Sequence, residues 1–364
     1  MSKDFHNKPF DEGTKVKLLL YEKYLQEWLP VFLAIKDPIF PSINIFDFFA
    51  GSGEDKLKVK GSPLLAIDSL NPYFENIINK QLKVALYFNE IKEYKLNNLK
   101  NIISSSNLNP QPFKIHFSSL DFQEAFNNYF PLMNQPNTAN FLFLDQSGIK
   151  AIEPPIFKKI ISLRTTDFLF FISSSYIHRF AEVDAIKKYI SIPKNTLSSS
   201  EYLHTHRIVF EYYKSLLPQS SKYFLAPFSI RKGANIYGLI FGSHSVLGIE
   251  KFLKACWNID SQSGEANFDI DQDNITSNQP TLFEELGKST KLHFFEQDLE
   301  KAILGKKLKT NKDIYIFALE NGCLPKHAKE VIKNLIDKNV LPKQKLNISY
   351  DSFSQATSQL IRLN

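Results

Sequence analysis

The chain has 364 residues, 43% of them hydrophobic, and a formal net charge of +6. That length predicts one large domain plus a smaller one, and 32 Phe against 2 Met predict a phenylalanine-rich core. No uncharged apolar run approaches about 18 residues, no secretion signal opens the chain, and Cys256 and Cys323 are too few for a disulfide framework or a zinc site. These features exclude a membrane-spanning helical protein and predict a protein of the reducing cytoplasm.

Lys15 to Ala34, with Leu18, Leu19, Tyr21, Tyr24, Leu25, Trp28 and Leu29, predicts an amphipathic helix packed on a sheet, its Lys15 and Lys17 close to the mouth of any site there. Ile43 to Phe48 follows as a buried parallel strand, and Ala50-Gly51-Ser52-Gly53 is the turn that leaves it. Glycines in such a turn permit positive φ and a close approach of backbone to ligand. Asp47 falls at the carboxyl end of the strand, where open α/β sheets bind ligands. The third glycine of a dinucleotide fingerprint is missing, and so is the Gly-Lys-Ser/Thr of a phosphate loop. A Phe49-x-Gly51-x-Gly53 turn suits a cofactor without pyrophosphate, such as S-adenosylmethionine. Lys56, Lys58 and Lys60 lie in an insertion expected to be mobile and able to act as a lid, before Ser62 and Pro63 at the N-cap and first position of a helix.

Lys83 to Phe88 reads as a second strand ending at Asn89-Glu90. Glu90 either accepts the ribose hydroxyls of an adenosine-bearing cofactor or starts the helix Ile91 to Ser104. A third strand, Phe113 to Phe117, leads to Asp121 and Phe122, which either bond and pack against adenine or begin a helix with Asp121 as its N-cap. A fourth, Asn140 to Leu144, ends in Asp145-Gln146-Ser147-Gly148, and a fifth is Phe168 to Ile172. Helical stretches at Ile177 to Tyr189 and Glu201 to Leu217 follow, the second opened by a Ser198-x-x-Glu201 capping box. The His204-Thr-His206 spacing turns the two rings apart on a helix and predicts no metal site. Tyr223 to Ile230 and Asn235 to Gly242, joined by Arg231-Lys232-Gly233-Ala234, predict a hairpin. Parallel βα units closed by an antiparallel hairpin describe the class I methyltransferase-like Rossmann sheet, predicted here for residues 1–260.

Charge marks the rest. Residues 261–300 hold nine acidic residues and two lysines, and the composition predicts an acidic linker. Residues 301–346 hold eleven lysines and four acidic residues. Helix Lys312 to Leu319, a turn at Asn321-Gly322, helix Lys326 to Asn339 and a β-wing at Ile348 to Phe353 predict a winged-helix-like basic domain over 301–364. Lys326, Lys329 and Lys333 either contact the phosphates of DNA or RNA or form an ordinary solvated face.

Thr14 to Leu29, Asp47-Phe-Phe-Ala-Gly-Ser-Gly53, Gly61-Ser-Pro63, Phe88-Asn-Glu90 and Leu144-Asp-Gln-Ser-Gly148 together resemble the three-Cys-motif partner proteins, methyltransferase-like proteins of bacteria and phages. The resemblance runs from about Thr14 to Val340. It implies a class I methyltransferase fold, a neighbouring protein with a three-cysteine, iron–sulfur type motif, and S-adenosylmethionine as cofactor. On it Asp47, Gly51 and Gly53 hold the methionine end of the cofactor, Glu90 the ribose and Asp121 the adenine; Phe49 and Phe122 are further cofactor-binding candidates. The family's Asp-Pro-aromatic-Gly turn is Asp145-Gln146-Ser147-Gly148 here, without the proline and ring that hold a flipped base, and no Cys lies there for a C5 mechanism. Asp145 is left as the candidate catalytic residue. A methyltransferase acting on nucleic acid is expected, with a catalytically silent scaffold or regulatory subunit, serving in phage–host conflict, as the alternative.

Overall fold

A computed structural model describes residues 9–105, 112–146, 153–180, 192, 199–218, 223–275 and 288–363. The chain divides into two compact units, Met1–Ser245 and Val246–Asn364. In the first, α1 (Glu12–Leu33) precedes β1 (Ser42–Asp47), α2 (Ser62–Leu70), α3 (Phe74–Asn79), β2 (Lys83–Asn89), α4 (Glu93–Ser105), β3 (Lys114–Ser118) and α5 (Phe122–Met133). Then come β4 (Thr138–Leu144), α6 (Pro154–Ser162), β5 (Thr166–Ile172), α7 (Ser174–Phe180), α8 (Thr205–Ser215), β6 (Phe224–Lys232) and β7 (Asn235–Ser243). The strands form one sheet in the order β3-β2-β1-β4-β5-β7-β6. β1 to β5 run parallel, and β7 lies antiparallel between β5 and β6. This is the class I methyltransferase sheet that the sequence predicts. The order reverses between β1 and β4, the switch point outside which such sheets bind ligands.

Strand periodicity decides what each face meets. Phe141 and Phe143 of β4 face α1, with Tyr21 4.4 Å from Phe143 and Tyr24 5.3 Å from Phe141. Leu142 and Leu144 face the other way, into a core with Phe126 of α5, Phe157 of α6 and Tyr213 of α8. Asparagines inside the sheet are paired with one another and with backbone. Asn44 donates to Asn140 at 3.2 Å, and Asn140 donates to the Met133 carbonyl and the Thr166 hydroxyl. His206 is a fully buried core side chain. Its Nε2 donates to the Leu239 carbonyl at 2.9 Å, which leaves Nδ1 to accept the Ser174 hydroxyl at 2.9 Å.

In the second unit, α9 (Val246–Ile259) precedes α10 (Thr290–Leu304), α11 (Asn311–Glu320), α12 (Pro325–Asp337) and α13 (Tyr350–Ser354). A capping box of Thr310 and Asp313 starts α11, and Gly322, at φ +67°, turns the chain into α12. The Trp257 indole donates to the Gly322 carbonyl at 2.9 Å. Two expectations change. The wing predicted at Ile348 to Phe353 is instead the short helix α13, capped by Ser349, and the antiparallel bridge joins Thr310 to Leu360. Asn311, 1% exposed, fixes this return by donating to Asn347 and Ser352 and accepting from the Gln359 N–H. The stretch read as an acidic linker over 261–300 is also partly organised. Asp260 accepts from the backbone of Gln262, Ser263, Glu265 and Ala266, Asp273 accepts from Thr290, and α10 starts there. No described helix is long and apolar enough to cross a membrane.

Gly238 makes room for the His206 ring: a Cβ there falls 2.1 Å from the imidazole. Gly238→Ala is therefore expected to push the ring off both its partners and cost about 3 kcal/mol or more, read as a lowered denaturation midpoint. Gly233→Asn, in open space at φ +59°, is expected to leave the midpoint nearly unchanged.

Candidate functional site

β1 delivers Asp47 to its carboxyl end fully buried. Oδ1 accepts the Phe49 N–H at 3.1 Å, which bends the chain into the glycine turn, while Oδ2 is buried without a hydrogen-bond partner. Burial pushes this carboxyl up to about 7. The Ser62 hydroxyl and the Phe49 N–H oppose the shift, and the charges of Asp145 and Glu90 add to it. Ser62 eases the charge without reaching hydrogen-bond geometry to Oδ2.

Gly51 and Gly53 lie at φ +66° and +87°. A side chain at Gly53 strikes Leu99 at 2.7 Å, and the Gly61 N–H closes on the Gly53 carbonyl at 2.7 Å. Asp55 organises the insertion between them. Asp55 accepts the N–H groups of Phe10, Leu57 and Val59 at 2.6, 2.8 and 2.9 Å. Gly61 rather than Ser62 is the N-cap of α2, with Ser62 its first residue.

Glu90 is half-buried, its Oε2 accepting the Gly51 N–H at 3.1 Å and its Oε1 the Lys92 N–H at 2.9 Å. The carboxylate thus sits beside the glycine turn and shapes the approach to α4 at once, with lone pairs to spare. Asn89, which the sequence reading passed over, fastens the strand ends beneath it. Its amide donates to the Phe48 and Leu120 carbonyls at 3.3 and 3.0 Å and accepts from the Ser118 hydroxyl and the Leu120 N–H at 2.8 and 3.1 Å. Its own carbonyl takes the Ala50 N–H at 2.9 Å. A buried Asn closing an apolar strand was the available signal.

Asp121 is exposed and caps α5, accepting the Glu124 N–H at 2.9 Å. Phe122 stacks on Phe49 with ring centroids 5.5 Å apart and meets Phe48 edge-on at 5.4 Å. The exposed apolar side chain next to Glu90 is Ile91, 61% exposed.

Asp145 forms an ion pair with Lys17 of α1, whose side chain is 8% exposed and whose Nζ stands 4.7 Å from the Phe171 ring centre. Strand parity explains the pairing: Asp145 continues the side of Phe141 and Phe143, the side that faces α1. Tyr21, one helical turn after Lys17, shares that face. Its hydroxyl is buried without a partner, and burial, then the Asp47 charge, raise its pKa well above the ordinary tyrosine range. Ser147 and Gly148 of the acceptor turn lie outside the described residues.

In the second unit, Lys326, Lys329 and Lys333 stand exposed on one stripe of α12, while Ala328, Val331, Ile332 and Leu335 are buried. Glu330 and Asp337 are exposed on the same helix. His327 packs 4.2 Å from the Trp257 ring and accepts the Leu324 N–H at 3.1 Å; burial, then Lys326 and Lys291, push its pKa down to about 4.

Residues 269–343 match the family model of the GMT-like wHTH domain. No curated protein matches the sequence. Among solved structures the chain is similar to the SAM-dependent methyltransferase from Agrobacterium tumefaciens, at 7% identity over 65% of this chain and 63% of that one, with a TM-score of 0.35. It is similar to the METTL16 MTase domain at 11% identity over 62% and 83%, TM-score 0.32. It is similar to P. horikoshii TYW2 in complex with MeSAdo at 12% over 65% and 63%, TM-score 0.28. The chain spans 63% of the length of the first of these. Likeness this distant carries no weight for chemistry, and the fold assignment rests on strand order.

An acid whose folded pKa lies above its unfolded one costs stability as pH rises. Asp47 costs nothing below about 4, and the loss grows up to its folded value of about 7, at roughly 1 kcal/mol per pH unit. Asp47→Asn is therefore expected to raise Tm relative to the unsubstituted protein at pH 8 but not at pH 4. A variant less stable at both pH values means that the Phe49 N–H bond outweighs the buried charge.

Proposed function

We propose that the first unit binds S-adenosylmethionine at the carboxyl ends of β1, β2 and β3, and that the protein transfers the methyl group to a nucleic acid docked on α12. The observation that carries this is the sealed Asp47 carboxylate with one oxygen unpaired, at the switch point, beside two glycines at positive φ. Asp47 Oδ2 accepts the α-ammonium of the cofactor, and Gly51 and Gly53 let backbone approach it. The free lone pairs of Glu90 accept the ribose hydroxyls, each such bond contributing about 1.5–3 kcal/mol. Ile91 gives the adenine an apolar seat, with Asp121 and Phe122 at its edge. When bound, the cofactor supplies an electrophilic methyl group on a sulfonium. On this reading Asp145 positions an acceptor N–H or O–H. Lys326, Lys329 and Lys333 contact phosphates, and the winged-helix match over 269–343 supports that role. The sequence resemblance supports a three-cysteine-motif protein as partner.

One observation favours a second reading, a silent methyltransferase-fold subunit of such an assembly. Lys17 already occupies Asp145, and the turn after it has neither proline nor aromatic ring.

Calorimetric titration with S-adenosylmethionine tests the cleft. Affinity is expected to rise roughly eightfold from pH 6 to pH 7.5 as Asp47 ionises, and to be weak and flat for Asp47→Asn. No saturable heat at any pH overturns the cofactor site. Where binding is found, labelled cofactor incubated with DNA and with RNA separates an enzyme from a silent subunit. Reversing Lys326, Lys329 and Lys333 to Glu is expected to abolish nucleic-acid retention, and neutralising them to flatten the salt dependence of log K by roughly 3. Unchanged retention on reversal removes α12 from the interface.

A further inference from the structure

Three polar groups at the β1–β4 end of the sheet are buried with fewer hydrogen bonds than their chemistry offers. Lys17 carries three N–H donors; one serves Asp145, and the Phe171 ring beside it is a weak partner. The Tyr21 hydroxyl and Asp47 Oδ2 have no partner at all. Each such group left dry carries an uncompensated desolvation cost, larger when the group is charged. A ligand of matching polarity removes that cost.

The three stand together. Lys17 and Tyr21 are four residues apart on one face of α1. The Tyr21 ring is 4.4 Å from that of Phe143, and Phe143 pairs in register with Asp47 on the adjacent strand. Asp145 continues the Phe143 strand and holds Lys17. The cluster therefore holds two donors, a phenol and an ammonium whose one bond goes to the Asp145 carboxylate, beside one carboxylate oxygen, on Asp47, that has no hydrogen bond. The complement of that set is a zwitterion, with a carboxylate for the donors and an ammonium for Asp47.

We propose that α1 reads the amino-acid end of the cofactor: Lys17 and Tyr21 hold the α-carboxylate of S-adenosylmethionine while Asp47 holds its α-ammonium. This rests on the cofactor assignment above and adds to it two residues outside the strand-end turns. Lys17 is then shared between Asp145 and the ligand, which its three donors permit. The same geometry gives Asp145 a second task, to fix the lysine where the carboxylate arrives.

Three ligands separate the contributions in calorimetry. S-adenosylmethionine has both charged groups, its decarboxylated form keeps the sulfonium and the amine, and methylthioadenosine lacks the amino-acid end. The full-length protein is expected to prefer S-adenosylmethionine over the decarboxylated form by about tenfold or more. Lys17→Met is expected to erase that preference and leave methylthioadenosine binding unchanged, with Tyr21→Phe reducing the preference several-fold. Lys17→Met leaves the half-buried Asp145 without its lysine, so Lys17→Met/Asp145→Asn is measured beside it, with thermal melting to show an intact fold, and loses the same preference. Equal affinity of the unsubstituted protein for both forms, or a preference that survives in the folded double variant, overturns the proposal. Failure of the cofactor assignment looks different: none of the three ligands binds.

Discussion

Sealing a carboxylate at the end of β1 is the constraint on which the rest of the first unit depends. Asp47 has no exposure, one oxygen bonded to the Phe49 N–H and one bonded to nothing. A group in that state opposes folding at neutral pH, and the structure around it has to be rigid enough to keep water and backbone from collapsing onto it. Asn89 supplies that rigidity. Its amide uses two donor and two acceptor positions to bind the ends of β1, β2 and β3 together. Glu90 then reaches across to Gly51, and Gly61 closes on Gly53. The turn is therefore shaped before any ligand arrives, which lowers the entropy that binding has to overcome.

The second organising fact is parity. Successive side chains on a strand alternate between faces, so one odd–even choice on β1 and one on β4 decide the chemistry of the edge. Both choices place an acid on the side of α1, Asp47 continuing Ile45 and Asp145 continuing Phe143. The helix meets them with Lys17 and Tyr21 at the end of a stripe that continues through Tyr24 and Trp28 into aromatic packing on Phe141 and Phe241. The same helix face thus packs the sheet along most of its length and becomes polar where the strands end. A one-residue slip of either strand would send its acid into the opposite, phenylalanine-rich core.

The strands were legible because each is an apolar run bounded by turn residues, and the hairpin because Gly233 marks its turn. The seven-stranded order, with its antiparallel end, followed from that alternation. Asp47, the two glycines and Glu90 were legible as well, since their positions depend only on where a strand stops. What escaped depends on contacts distant in sequence. Lys17 and Asp145 are 128 positions apart, and nothing local to either announces the pair. Asp121 shows the opposite case: the local pattern of a helix N-cap foretells its hydrogen bond to the Glu124 N–H. Ile348 to Phe353 reads as a strand by composition, yet the Ser349 cap makes a helix of it. Charge counting treated residues 261–300 as solvated, whereas Asp273 within the stretch and Asp260 just before it spend their carboxylates on its backbone N–H groups, including the start of α10.

The composition of α12 limits what kind of docking it can provide. Surface lysines are flexible point charges that hold phosphates in register but carry no sequence information. On the proposed function, Lys326, Lys329 and Lys333 by themselves account for salt-sensitive, nonspecific binding only, opposed by Glu330 on the same helix. Any discrimination among bases has to come from side chains able to pair with base edges. Asn334 is exposed on α12 directly after Lys333, and asparagine is the residue type that pairs bidentately with adenine. Glu330, exposed four residues before Asn334 and therefore on the same face, has the acceptor chemistry that cytosine N4 requires. On the proposed function, the lysines set where the nucleic acid lies, and discrimination among bases falls to side chains other than these three.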